Sequence, residues 1–143
     1  MTTFVMVPPT VVIDASIAIG AAVNERPAMS ALGSLQDRKA ILLAPPLIWI
    51  ETANALVRRH RFSAPDATFV LRSMERLGLE SADRGLDGLV EAMAMAEEHR
   101  LSVNDATYLW LAMDIEAELA TLDRGLARAA EVQGVPLAIK LDD

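Results

Sequence analysis

The tightest constraint on this chain is a pair of very short apolar runs, Thr10-Val11-Val12-Ile13 and Ile41-Leu42-Leu43, each followed at once by residues of helical pattern. Runs of this length are too brief for a helix and too continuously apolar for a strand with one face in water, so they predict strands buried on both sides. Ala15 to Ala22 reads as a helix, and Asn24-Glu25-Arg26-Pro27 interrupts before a second helical stretch to about Leu35. Pro45-Pro46 closes the second run and suits a helix entrance, since proline lacks only a donor that would go unsatisfied there. The helix behind it is expected to reach about Arg61.

Ser63 is placed to cap a further helix with Phe69, Val70, Met74 and Leu77 as apolar positions, ended by Gly78. Leu86, Leu89, Val90, Met93 and Ala94 follow the spacing of a core-facing helix, and Ala106, Leu109, Trp110 and Met113 repeat it. Leu119 to Leu122 reads as a strand, Arg124 to Val132 as a helix stopped by Gly134, and Val135 to Ile139 as a last strand. Short strands alternating with helices predict an α/β domain with a mainly parallel central sheet flanked by helices. No repeat, low-complexity tract or linker divides residues 1–143, which are expected to form a single domain.

Composition removes several chemistries. With no cysteine there is no disulfide framework, thiolate nucleophile or cysteine-ligated zinc or iron–sulfur site. Thirteen Lys and Arg against twenty Asp and Glu leave a net charge of −7, which argues against coating nucleic acid through bulk charge. Met1-Thr2-Thr3-Phe4 has no basic n-region, and the longest apolar stretch, Ala40 to Ile50, is too short to span a bilayer and is broken by Pro45-Pro46. A soluble cytoplasmic protein without membrane partners is expected, with Asp142 and Asp143 as a solvated tail.

Ligands in parallel α/β folds collect at the C-terminal ends of the strands, and carboxylates stand there. Asp14 follows the first strand and Asp123 the Leu119 to Leu122 strand; each reads either as an N-cap or as part of a site. Glu51, in the helix after Pro46, borders an apolar face and reads as a site carboxylate, an arginine partner or an exposed group. Asp105 lies in Ser102-Val103-Asn104-Asp105, an S-x-x-D capping pattern. If all four share one cleft, two carboxylates about 4 Å apart repel by roughly 4 kcal/mol at an effective dielectric of about 20, and a divalent cation removes the conflict. With only His60 and His99 as imidazoles the ligands are mostly oxygens, favouring Mg²⁺ or Mn²⁺ over zinc. Ser16 and Thr121 are placed to bond a water or phosphate nearby, or simply local backbone. His99, Trp49, Trp110 and most methionines read as helix-end or packing residues.

At Val12-Ile13-Asp14-Ala15-Ser16, Pro45-Pro46 with Glu51-Thr52-Ala53-Asn54-Ala55-Leu56, Asn104-Asp105-Ala106-Thr107-Tyr108-Leu109-Trp110-Leu111-Ala112 and Thr121-Leu122-Asp123-Arg124-Gly125-Leu126, the chain resembles the PIN-domain ribonucleases. More narrowly it resembles a VapC-type toxin of a VapBC toxin–antitoxin pair. The resemblance implies a PIN-like domain, an acidic quartet of Asp14, Glu51, Asp105 and Asp123 as catalytic and metal-binding residues, Mg²⁺ or Mn²⁺ dependence and RNA phosphodiester cleavage. It also implies a homodimer and a VapB-type antitoxin that covers the active site. On that reading a metal-activated water attacks the phosphodiester in line, and a nearby carboxylate takes its proton. RNA approaching acids needs bordering cations; Arg58, seven residues after Glu51 and two helical turns on, reads either as a phosphate contact or as a cation meeting the helix C-terminus and solvent. A phosphoacceptor domain and a D-x-D phosphatase both need a second acid where Ala15-Ser16 stands. A non-catalytic PIN-like binding module is the remaining alternative, separated from the nuclease by metal-dependent cleavage.

Overall fold

The computed structural model describes residues 7–141, so Met1–Phe4 and the Asp142–Asp143 tail lie outside the described residues. Four strands, β1 (Thr10–Ile13), β2 (Ile41–Ala44), β3 (Glu80–Ser81) and β4 (Glu118–Ala120), form one sheet in the order β3-β2-β1-β4 with every pairing parallel. Val12 registers with Leu43 on one side and with Leu119 on the other, so β1 is central and its Val11, Val12 and Ile13 are fully buried. Helices α1 (Ala15–Ala22) and α2 (Arg26–Asp37) join β1 to β2; α3 (Leu47–Asn54) and α4 (Ala64–Arg76) join β2 to β3; α5 (Gly85–His99) and α6 (Val103–Asp114) join β3 to β4; α7 (Arg124–Val132) follows.

The order contains a reversal. The chain steps outward from β1 through β2 to β3 and then crosses to β4 on the opposite side of β1. Because such crossovers are right-handed, helices leaving neighbouring strands β1 and β4 diverge, and a crevice opens between those strands at their C-terminal ends. Asp14 and Thr121 are the first residues past these two strands, and the Asp14 amide donates to the Ala120 carbonyl (3.2 Å).

Several elements differ from the sequence expectation. The helix entered at Pro46 is α-helical only to Asn54; Ala55–Arg59 form a wider π turn in which the His60 amide donates to the Ala55 carbonyl, five residues back. The short exposed strand β3 has no apolar run to announce it and is held through pairing with Leu43 and Ala44. The expected last strand over Val135 to Ile139 is a single parallel bridge, Leu119 to Leu137. Thr121 and Leu122 lie beyond β4, turned out of the ladder by the cap of α7.

Helix α5 turns the opposite face to the one expected. Leu86, Leu89, Val90 and Met93 are 73, 41, 54 and 48% exposed, whereas Gly88, Ala92, Met95 and Ala96 are buried. Gly88 accounts for this: a β-carbon there would lie 2.9 Å from the Trp110 ring, so only a face of small residues lets α5 come this close to α6. Dispersion contacts favour that close approach, and the bulkier stripe is left outside. On α4, Met74 is buried as expected, but Phe69 is 67% exposed.

Candidate active site

Asp14 is the innermost carboxylate. It caps α1, accepting from the Ser16 amide (3.1 Å) and the Ser16 hydroxyl at Oδ1, while Thr121 Oγ1 donates to Oδ2 (2.5 Å). Each hydroxyl in turn accepts from the chain beyond β4: Leu122 N donates to Ser16 Oγ and Asp123 N to Thr121 Oγ1, both at 2.9 Å. Ser16 and Thr121 therefore spend their hydroxyl protons on Asp14 rather than on a phosphate or water, and they tie the ends of β1 and β4 together.

Burial pushes the Asp14 carboxyl up to about 6; the two hydroxyls oppose the rise, and the charge of Asp105 adds to it. Asp105, half-buried in the first turn of α6, is also raised, by desolvation and then by the charge of Asp123, against the lowering effect of Ser102. The capping pattern is realised, with Ser102 Oγ accepting from the Asp105 amide (3.0 Å), and that bond occupies the Asp105 backbone rather than its carboxylate. Asp123 caps α7 through Oδ1, which accepts from Leu126 N (2.9 Å). A single bond from one oxygen leaves its second oxygen for other work.

Glu51 reaches the same region from α3. Tyr108 OH donates to its Oε1 (2.5 Å) and Asn104 Nδ2 to its Oε2 (3.3 Å), so it has neither an arginine partner nor a freely solvated carboxylate. The Tyr108 hydroxyl is held well above its ordinary pKa, first by burial, then by the bond to Glu51 and by the nearby charges of Glu51, Asp14 and Asp105. Tyr108 thus faces three of the four acids. Tyr108 and Asn104 were not singled out from sequence as working residues, although the signal was present: residues 104 and 108 are four apart and share a helix face beside Asp105.

Arg58 lies in the π turn, exposed and with no salt bridge among the described residues; the wider turn moves it off the α-helical register counted from Glu51. His99 ends α5 and bonds Gln133, and Trp110 packs under α5 with Nε1 donating to Glu91, as packing residues do.

The charges of Glu51, Asp14 and Asp105 all bear on Tyr108, that of Asp105 on Asp14 and that of Asp123 on Asp105, so the four acids lie near one another at the strand reversal. None has a salt-bridge partner among the described residues. No three carboxylate or imidazole groups there stand close enough to hold a metal ion as they are placed. The donor set nonetheless fits a hard cation in kind: oxygens only, mutually repelling, partly desolvated and without a cationic side chain to neutralise them.

Fold and site together define a parallel α/β domain with a carboxylate-lined crevice at its topological switch point. A model of the PIN domain matches residues 11–132, and the chain belongs to the PIN-domain family. Solved structures share the fold, among them the following three. PAE2754 from Pyrobaculum aerophilum is 23% identical over 85% of both chains with a TM-score of 0.62. A toxin–antitoxin complex from Klebsiella pneumoniae contains a chain 20% identical, covering 92% of this chain and 99% of its own, with a TM-score of 0.66. Mycobacterium tuberculosis VapC20, described as a sarcin–ricin loop-cleaving toxin, is 15% identical over 83% of this chain and 94% of its own, with a TM-score of 0.65. No functionally curated protein matches the sequence.

Proposed function

We propose that this protein is a divalent-metal-dependent endoribonuclease acting as the VapC-type toxin of a toxin–antitoxin pair. The observation that carries the reading is the gathering of Asp14, Glu51, Asp105 and Asp123 around one crevice with no cation among them. Support comes from family membership and from the functions printed for two of the fold's relatives.

In this mechanism Asp14, Asp105, Glu51 and Asp123 hold Mg²⁺ or Mn²⁺, which when bound supplies positive charge to the phosphodiester oxygens and acidifies water. Ser16 and Thr121 fix the Asp14 carboxylate by bonding both of its oxygens. Tyr108 and Asn104 do the same for Glu51 from α6. A carboxylate of the group that is not holding the metal would accept the proton of the attacking water.

Its partners on this reading are RNA, a VapB-type antitoxin and a second copy of the chain, in the cytoplasm. A trough of about 560 Å³ between α1, α2 and α4, walled by Ala18, Leu32, Phe69, Val70 and Met74, offers the apolar surface that an antitoxin helix needs. The stripe Leu86, Leu89, Val90 and Met93 on α5 has core composition without core burial, and a second copy is its proposed cover. Among the described residues no helix is long and apolar enough to cross a membrane.

The test is incubation of purified, partner-free protein and its Asp14→Asn variant with structured RNAs in Mg²⁺, in Mn²⁺ and in excess EDTA. Cleavage by the wild type in either metal, lost in EDTA and in the variant, is expected. Cleavage undiminished by the substitution would refute the assignment.

A further inference from the structure

Besides the exposed Arg58, a second group of cations gathers at the starts of α2 and α7. Arg26 at the start of α2, Arg124 at the start of α7 and Lys140 in the C-terminal segment line one groove of about 800 Å³, with Ser30, Ser34 and Leu122 in its walls. Arg124, Arg128 and Lys140 line an adjoining groove of about 380 Å³. The carboxylates in these grooves are Glu25 in the first and Glu131 in the second, so the larger groove sets three cations against one anion in a chain whose net charge is −7. Arg26, Arg124, Arg128 and Lys140 make no salt bridge among the described residues, so no acid of the fold neutralises the groove cations.

The groove borders the carboxylates through the chain that leaves β4. Leu122 in its wall donates its amide to Ser16 Oγ, the group that bonds Asp14, and Arg124 directly follows Asp123. A polyanion lying along Arg26, Arg124 and Lys140 therefore runs toward the acids instead of being repelled from them.

We infer that this groove binds the sugar–phosphate backbone of RNA beside the bond to be cut, with Arg26, Arg124 and Lys140 each meeting a phosphate. The inference rests on the ribonuclease reading for its substrate, but the binding itself is measurable without cleavage. An acidic peptide has the same sign of charge; RNA is favoured because Leu122 and Arg124 in the groove flank Asp123, beside acids at which a phosphodiester has chemistry to undergo and a carboxylate side chain has none.

The experiment uses Asp14→Asn protein as the uncleaving parent and adds Arg26→Gln, Arg124→Gln and Lys140→Gln singly and together. Binding of a fluorescent single-stranded RNA is titrated from about 50 to 300 mM salt. Each phosphate contact contributes about 0.7 to the slope of log affinity against log salt for single strands, so the triple variant should lose about 2 from the slope and about 100-fold in affinity near 0.1 M salt. Arg72→Gln, on α4, should change neither. A triple variant with unaltered slope and affinity would overturn the inference, as would a parent that does not bind RNA. Selective loss of binding to polyglutamate, with RNA binding intact, would assign the groove to an acidic protein partner and equally overturn it. If wild-type protein cleaves no RNA while the slope still falls, the groove stands and the nuclease reading fails.

Discussion

Replacing Asp14 by Asn should stabilise the metal-free protein at neutral pH while abolishing its proposed activity. Asp14 carries a folded-state pKa near 6 against 3.8 for the free side chain, and a shift of about 2 units corresponds to about 3 kcal/mol. The sign follows from linkage. The folded protein holds this proton more tightly than the unfolded chain, so the associated stability is full below pH ~4 and lost as pH rises through ~6. Asn cannot titrate and escapes that loss, but its NH2 group replaces the oxygen that accepts from Thr121, and losing that bond costs about 1 kcal/mol. At pH 7.5 the variant should be about 2 kcal/mol more stable, a rise of about 7 °C in Tm for a chain of this length, and at pH 4 slightly less stable than the wild type. Thermal melts of both proteins in EDTA at the two pH values measure this, and the comparison cancels every carboxylate they share. Adding Mg²⁺ at pH 7.5 should raise the wild-type Tm and leave the variant unmoved. A variant that is less stable at pH 7.5, or a difference that does not change with pH, would refute the claim that an uncompensated buried charge sits at this position.

Tyr108→Phe removes the donor to Glu51 Oε1 and should cost about 1 to 2 kcal/mol of stability by urea titration, with cleavage falling about tenfold or more through kcat rather than KM. Gly88→Ala sets a β-carbon against the Trp110 ring, and the overpacking of about 1 to 3 kcal/mol should outweigh the helix-propensity gain of about 1 kcal/mol; a melt showing a higher Tm would contradict the close α5–α6 approach. Leu86→Lys with Val90→Glu places charges on the exposed stripe of α5 and should convert a dimer to a monomer by light scattering without lowering the monomer's helical content; an unchanged mass would remove that face as the interface.

The strands β1 and β2, the Ser63 and Ser102 caps and the glycine stops at Gly78 and Gly134 were legible because each depends on residues within one or two turns of itself. The caps that Asp14 and Asp123 make were legible in the same way, since a carboxylate between a strand and a helix is a local feature. The inward face of α5 was not legible, because spacing gives Leu86, Leu89, Val90 and Met93 and Gly88, Ala92 and Ala96 equally good helical stripes. Only the shape of the opposing Trp110 decides between them. Spacing could not place Arg58 for a comparable reason: a helical spacing rule assumes 3.6 residues per turn, and a π turn ends that assumption.

The sequence by itself determined a parallel α/β domain with acids after its strands, because buried runs and caps are written in neighbouring residues. Tertiary structure alone decided that Tyr108 bonds Glu51 across 57 positions, that Thr121 bonds Asp14 across 107, and that Arg26, Arg124 and Lys140 share a groove. The reason is physical: strand order β3-β2-β1-β4 brings the ends of β1 and β4 side by side, and no local pattern records which strands become neighbours.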